Sequence, residues 1–153
     1  MLKAQLKAIE TEKRNSFLDY LLLADESEEI VREYINDCEM FAILCAGQIV
    51  GVALFIFLQD GIVELKNIAI IEDYQGKGIG KLVIKESFDL YKMKGLNKML
   101  VGTANSSIAN LAFYQKLGFR MVEIKKNFFK KYPNPIYENG IRALDMVVLE
   151  RDL

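Results

Sequence analysis

The chain reads as an α/β protein built around a mixed sheet, on three observations. Apolar, β-branched runs at Met40–Ala46, Ile49–Leu58 and Ile62–Ile71 are separated by the turn signals Gly47-Gln48 and Asp60-Gly61. From Lys98 onward, strand-like and helix-like segments alternate. Between the two halves, three glycines at alternate positions in Gln75-Gly76-Lys77-Gly78-Ile79-Gly80-Lys81 join a β-branched run to a helical pattern.

In chain order, the pattern from Phe17 to about Ile35 predicts two short helices broken near Asp25-Glu26-Ser27. Three antiparallel strands follow, the first two forming a hairpin. After the glycine loop, Ile84, Phe88 and Tyr91 stand at i, i+4 and i+7 and give a helix one apolar face, which Gly95 ends. Lys98–Gly102 is the next strand. Ser106 or Ser107 is expected to cap a further helix that stops at Gly118, with Ile108, Leu111 and Ala112 turned to the core. Phe119–Ile124 and Leu144–Leu149 close the sheet. Without a repeat, a low-complexity tract or a linker, residues 1–153 are expected to form one domain.

Composition narrows the chemistry. The 153 residues are 52% hydrophobic and 27% charged, as in a globular protein, and the formal charge of −1 argues against a nucleic-acid partner. No apolar run reaches bilayer length, and the N-terminus lacks the order of a signal peptide, so a cytoplasmic location away from membranes is expected. There is no histidine. Ser-His-Asp and Cys-His nucleophile systems are therefore excluded, and no metal is expected. Acid and base duties fall to carboxylates, Tyr, Lys or Cys. Cys38 and Cys45 have no CxxC spacing and read as small core residues.

A glycine loop that opens a helix suits a phosphate, because the backbone can approach closely and the helix start offers unpaired N–H groups. Two nucleotide motifs fail here. A P-loop requires glycine where Gln75 stands and Ser or Thr where Leu82 stands. A Rossmann fingerprint from Gly76 requires glycine or alanine at Lys81, and it belongs in the first βα unit.

The spacing that fits is Gln75, Gly78 and Gly80, preceded by Ile68-Ala69-Ile70. Asn110-Leu111-Ala112-Phe113-Tyr114-Gln115-Lys116-Leu117-Gly118-Phe119 follows about thirty residues on. Together these segments resemble the GNAT N-acetyltransferase superfamily, strongly from Glu64 to Phe119. The resemblance implies a GNAT fold, a mixed sheet of six to seven strands flanked by about four helices, and acetyl-CoA as acetyl donor. It implies that the loop residues Gln75, Gly76, Lys77, Gly78, Ile79, Gly80 and Lys81 bind the cofactor, meeting its pyrophosphate. The backbone of Ile68, Ala69 and Ile70 would pair with pantetheine where the strand splays, and Asn110 would hold the pantetheine arm. Tyr114 would be the general acid for the departing thiolate. Glu64 is a candidate base, expected by two-residue alternation on the sheet face of Lys66, Ile68 and Ile70.

The acceptor side is less defined. Both prolines lie in Tyr132-Pro133-Asn134-Pro135-Ile136, within an aromatic connection too long for a hairpin. Phe129, Tyr132, Tyr137 and Glu138 are expected to shape a pocket for a primary amine. Glu138 favours a cationic acceptor, whereas Lys125, Lys126, Lys130 and Lys131 suit an anionic group, so the charges leave the acceptor open. A small-molecule amine attacked directly in a ternary complex is the expected reaction. Protein acetylation and a silent acyl-CoA-binding module remain alternatives, and a homodimer is compatible with the sequence.

Overall fold

The computed structural model describes residues 3–25, 27–35 and 38–153. A seven-stranded sheet runs in the order β1-β2-β3-β4-β5-β9-β6. Its strands are β1 Ala4–Ala8, β2 Glu39–Cys45, β3 Gln48–Phe57, β4 Ile62–Ile70, β5 Lys98–Ala104, β6 Arg120–Lys125 and β9 Met146–Asp152. Two short strands, β7 Tyr137–Glu138 and β8 Ile141–Arg142, pair apart from it. Within the sheet β4 and β5 run parallel and the other neighbours antiparallel, which makes it mixed.

Four helices cover the sheet: α1 Leu18–Leu21, α2 Glu28–Tyr34, α3 Ile79–Met93 and α4 Ile108–Lys116. β2 and β3 are apolar almost throughout because both of their faces are covered. Phe41, Ile43, Ala53 and Phe55 pack under α3 and α4, while the alternate residues Met40, Ala42, Val52 and Leu54 pack under α1 and α2. α3 supplies a stripe of Ile79, Val83, Ile84, Phe88 and Tyr91. Gly95, at φ 86° after Lys94, ends that helix as its position suggests.

Several expectations are corrected. The chain opens with β1, an edge strand paired along β2, and a 3-10 turn over Thr11–Phe17 precedes α1. The break between α1 and α2 stands as expected, although Glu26 lies outside the described residues. Ser107 sits at the N-cap of α4, but neither serine hydroxyl caps the helix; both donate to Glu138 instead. Ile108 and Ala112 are exposed, and of the three α4 residues expected inside only Leu111 packs on the core.

The largest correction concerns β4. Leu54 of β3 opposes Asn67, yet the next residue, Phe55, opposes Leu65, so Lys66 is an extra residue in the ladder. This bulge reverses the alternation. Val63 and Leu65 face α3 before it, and Ile68 and Ile70 face the same side after it. Glu64, between Val63 and Leu65, therefore lies on the opposite face from Ile68 and Ile70. Asn67 turns the same way, with its side-chain amide donating to the Leu21 carbonyl and the Tyr34 hydroxyl. Beyond the bulge the sheet opens: β4 and β5 pair from Ile62–Lys98 to Leu65–Val101 and no further.

The closed side of β4 is tight. A Cβ on Gly51 would collide with the Ala69 carbonyl oxygen and crowd Ile70 Cα at 3.1 Å. Gly51→Ala should therefore destabilise the fold by about 1–3 kcal/mol. A lowered urea midpoint at unchanged m-value is the expected reading; a midpoint equal to the parent's would show that β3 and β4 are not held this closely.

Candidate active site

The opening between β4 and β5 holds a cavity of about 390 Å³. β4 contributes residues 65–70 to its wall and β5 residues 101–104. Hydrogen bonding along β4 decides which amides face it. Ile71 N–H donates to the Val50 carbonyl (2.9 Å), and Ala69 opposes Val52 two residues away in register. In an antiparallel ladder the bonded pairs alternate, so Ala69 bonds to β3 while the backbone of Ile68 and Ile70 turns into the opening. The Ile70 carbonyl is taken by the Gln75 side chain at 2.8 Å. Gln75 is thus a strut that fixes the end of β4, and of the expected strand trio Ala69 does not offer its backbone to the opening.

The glycine loop leads from that strut into α3. Gly76 and Gly78 adopt φ 73° and 81°, a conformation that a side chain resists, and a Cβ on either would meet nothing within 4 Å. The α3 ladder begins with Leu82 N–H donating to the Gly78 carbonyl (3.1 Å). The amides of Ile79, Gly80 and Lys81 ahead of it have no intrahelical partner. No side chain caps this end, and its first turn holds no acidic residue. These open amides beside empty space fit a pyrophosphate. Ile79 buries its side chain, so only its backbone can serve. Gly80 lies against β4 and α4, its position for a Cβ being 3.6 Å from Ile70 Cδ1 and Phe113 Cζ. Lys77 rests its ammonium over the Tyr74 ring at 5.3 Å, and Lys81 is exposed.

α4 forms another wall. Asn110 is exposed at the cavity and Tyr114 is buried in it. Phe113 and Phe119 pack on the Tyr114 ring at centroid distances of 5.3 and 5.6 Å. Among the described residues the Tyr114 hydroxyl makes no hydrogen bond. Burial pushes its pKa up to about 12, which keeps the phenol protonated across the neutral range.

The 128–138 segment covers the far end. Phe129, Tyr132 and Glu138 line the cavity; Tyr137 does not, being 65% exposed beside a separate space of about 230 Å³ within its own loop. Tyr132 donates its hydroxyl across the cavity to Asp25 (2.9 Å), and Tyr34 donates to the other Asp25 oxygen (3.0 Å). Glu138 Oε1 accepts from Ser106 (3.1 Å) and Ser107 (2.7 Å), pinning the loop to the start of α4. Glu64 is not among the lining residues. It pairs with Ile56 and Leu100, ahead of the splay.

Several lining residues carry no sequence motif. Asp25 and Lys66 come from a helix break and a bulge, and Lys131 from a short 3-10 turn. Burial, with the nearby charge of Lys66, pulls the Lys131 ammonium below the ordinary lysine value, against the opposing pull of Glu33 and Asp25. Among the described residues no group of His, Cys, Asp and Glu is arranged to hold a metal ion, and no helix is long and apolar enough to cross a membrane.

Comparison with known proteins matches this geometry. Residues 6–119 match the acetyltransferase (GNAT) family. The chain belongs to that family. It is 39% identical over 143 residues to the uncharacterized N-acetyltransferase YvbK of Bacillus subtilis strain 168, covering 93% of this chain and 92% of the relative. A GNAT family acetyltransferase from Elizabethkingia anophelis with acetyl-CoA bound superposes with a TM-score of 0.91 at 37% identity, over 98% of both chains. An IAA acetyltransferase from Bacillus cereus ATCC 14579 gives 0.90 at 36% identity, over 99% of this chain and 100% of that one. The protein is an N-acetyltransferase of the GNAT type.

A GNAT donor site of this form should not tolerate an anion in the loop. Gly78→Glu adds bulk and negative charge before the open amides of α3. Calorimetry should show coenzyme A affinity falling at least tenfold. Gly78→Ala serves as a control for backbone strain. Undiminished affinity in the Glu variant would sink the loop assignment.

Proposed function

We propose that the protein transfers acetyl from acetyl-CoA to the primary amine of a small molecule by direct attack in a ternary complex. The observation that carries this reading is the roof over the acceptor end. Phe129 and Tyr132 partly cover it, and the Tyr132–Asp25 hydrogen bond ties that cover to the segment after α1. A chamber partly roofed by aromatic side chains suits a small amine better than a wide groove would.

Acetyl-CoA supplies the thioester carbonyl and a sulfur leaving group; this chain's own residues do the rest. The α3 amides and the left-handed glycines hold the phosphates. The turned-out amides of Ile68 and Ile70 pair with the pantetheine arm, and one of them is placed to donate to the carbonyl oxygen as charge grows on it. Asn110 reaches the arm from α4. Tyr114 holds the proton that the departing sulfur takes. The burial that raises the phenol also raises a thiol in the same dry space, so their gap stays near its solution value of roughly 1.5 pKa units.

The amine must also lose a proton. With Glu64 outside the chamber, the lining carboxylates are Asp25 and Glu138. Hydroxyls engage both oxygens of Asp25. Glu138 keeps Oε2 without a partner among the described residues, so Glu138 is the better proton acceptor.

Three outcomes test these roles. Tyr114→Phe should lower kcat by about 10²–10⁴-fold with acetyl-CoA affinity almost unchanged. Full turnover in a thiol-release assay would remove Tyr114 from the reaction. Because its pKa lies near 12, Tyr114 stays protonated until strongly alkaline pH; an alkaline activity loss below pH 11 should therefore persist in the remaining activity of the Phe variant. Glu138→Gln should lower kcat at saturating acetyl-CoA by about 10²–10⁴-fold. Unchanged turnover would assign the base elsewhere.

A further inference from the structure

The acceptor chamber holds two ammonium groups that the transfer itself does not require. Lys66 and Lys131 both line it. Lys66 Nζ lies 5.3 Å from the Tyr34 ring centroid, and Lys131 Nζ 4.1 Å from that of Phe128. Aromatic faces thus hold the two ammonium groups in place. Neither takes part in a salt bridge or a hydrogen bond among the described residues, so three donors on each are left for a ligand. The nearby carboxylates are committed to other donors, Asp25 to two tyrosines and Glu138 to two serines. Of the lysines in the 125–131 segment, the cavity receives Lys131 alone.

We infer that the acceptor carries a carboxylate on the same molecule as its reactive amine, and that Lys66 and Lys131 bind it. This rests on the proposed transfer to a small amine and names the substrate class. The position of Lys66 sets the spacing. It lies two residues before Ile68, or about 7 Å along the strand, which a lysine stem can cover. The anion is therefore held a few bonds from the amine, as in an amino acid. Leu23, Phe129 and Ile136 add apolar lining, which favours an apolar side chain. A polyamine would instead set its spare cations beside two unpaired lysines. The carboxylates near them are Asp25 and Glu138, each already accepting from neutral hydroxyls, and Glu33, whose charge reaches Lys131.

Matched acceptors test the class. Thiol release from acetyl-CoA is measured with L-phenylalanine against phenethylamine, and with L-methionine against 3-(methylthio)propylamine. The wild type should prefer each amino acid by about ten- to a hundredfold in kcat/KM, the range of a charge-assisted contact. Lys66→Met with Lys131→Met should reduce that ratio about tenfold or more, chiefly through KM. A merely structural role for the lysines would lower both acceptors together and leave the ratio unchanged. Equal use of acid and amine by the wild type, or an unchanged ratio in the double variant, overturns the inference while leaving amine acetylation standing. Should no amine release thiol, the proposed transfer fails. Calorimetry with L-phenylalanine then decides the inference alone: binding lost in the double variant upholds it, and absent binding in the wild type overturns it.

Discussion

Insertion of Lys66 into β4 shifts the ladder with β3 by one residue, and the pairing with β5 ends beside it, at Leu65 and Val101. A parallel pair that opens partway leaves backbone groups on one strand edge without partners, while the opposite edge stays fully bonded. That condition is costly in a sheet interior unless something else takes up the hydrogen bonds. Gln75 takes one of them, the Ile70 carbonyl, and so also fixes where the glycine loop leaves the sheet. The proposed donor site, the start of α3 and the proposed acceptor chamber are all positioned from this one opening.

The chamber has different chemistry at its two ends. At the proposed donor end the available groups are backbone amides, from the turned-out residues of β4 and from the first turn of α3. At the proposed acceptor end they are side chains gathered from distant segments: Asp25 after α1, Lys66 in the bulge, and Lys131, Tyr132 and Glu138 in the 128–138 segment. Two hydrogen-bonded ties hold that segment down, Tyr132 to Asp25 and Glu138 to the serines before α4. Tyr114 stands in the wall with its ring packed between phenylalanines and its hydroxyl without a hydrogen-bond partner among the described residues. A side chain so placed is rigid in position and available in chemistry.

Much of this was legible from residues alone where local rules govern. The strands at 40–46, 49–58 and 62–71, the α3 stripe and the Gly95 stop follow from periodicity and turn chemistry. β1 was not, because Ala4–Ala8 has only a short, mixed pattern and is held at the edge by pairing with β2. The bulge was not either: buried positions alternate without interruption from Val63 through Ala69, yet the face they occupy changes at Lys66. Alternation read across it placed Glu64 on the wrong side. The serines before α4 look like caps in sequence, but a carboxylate thirty residues away takes their hydroxyls. Asp25, Lys66 and Lys131 meet only through tertiary packing, which no local spacing encodes.

The central claim is that the open edge of β4 receives the donor. Amide hydrogen exchange on the whole protein, with and without coenzyme A, tests it directly. Protection should rise at Ile68 and Ile70, whose amides face the opening, and stay unchanged at Ala69, which already bonds to β3. Equal exchange at Ile68 and Ile70 in the presence of saturating coenzyme A would contradict the claim.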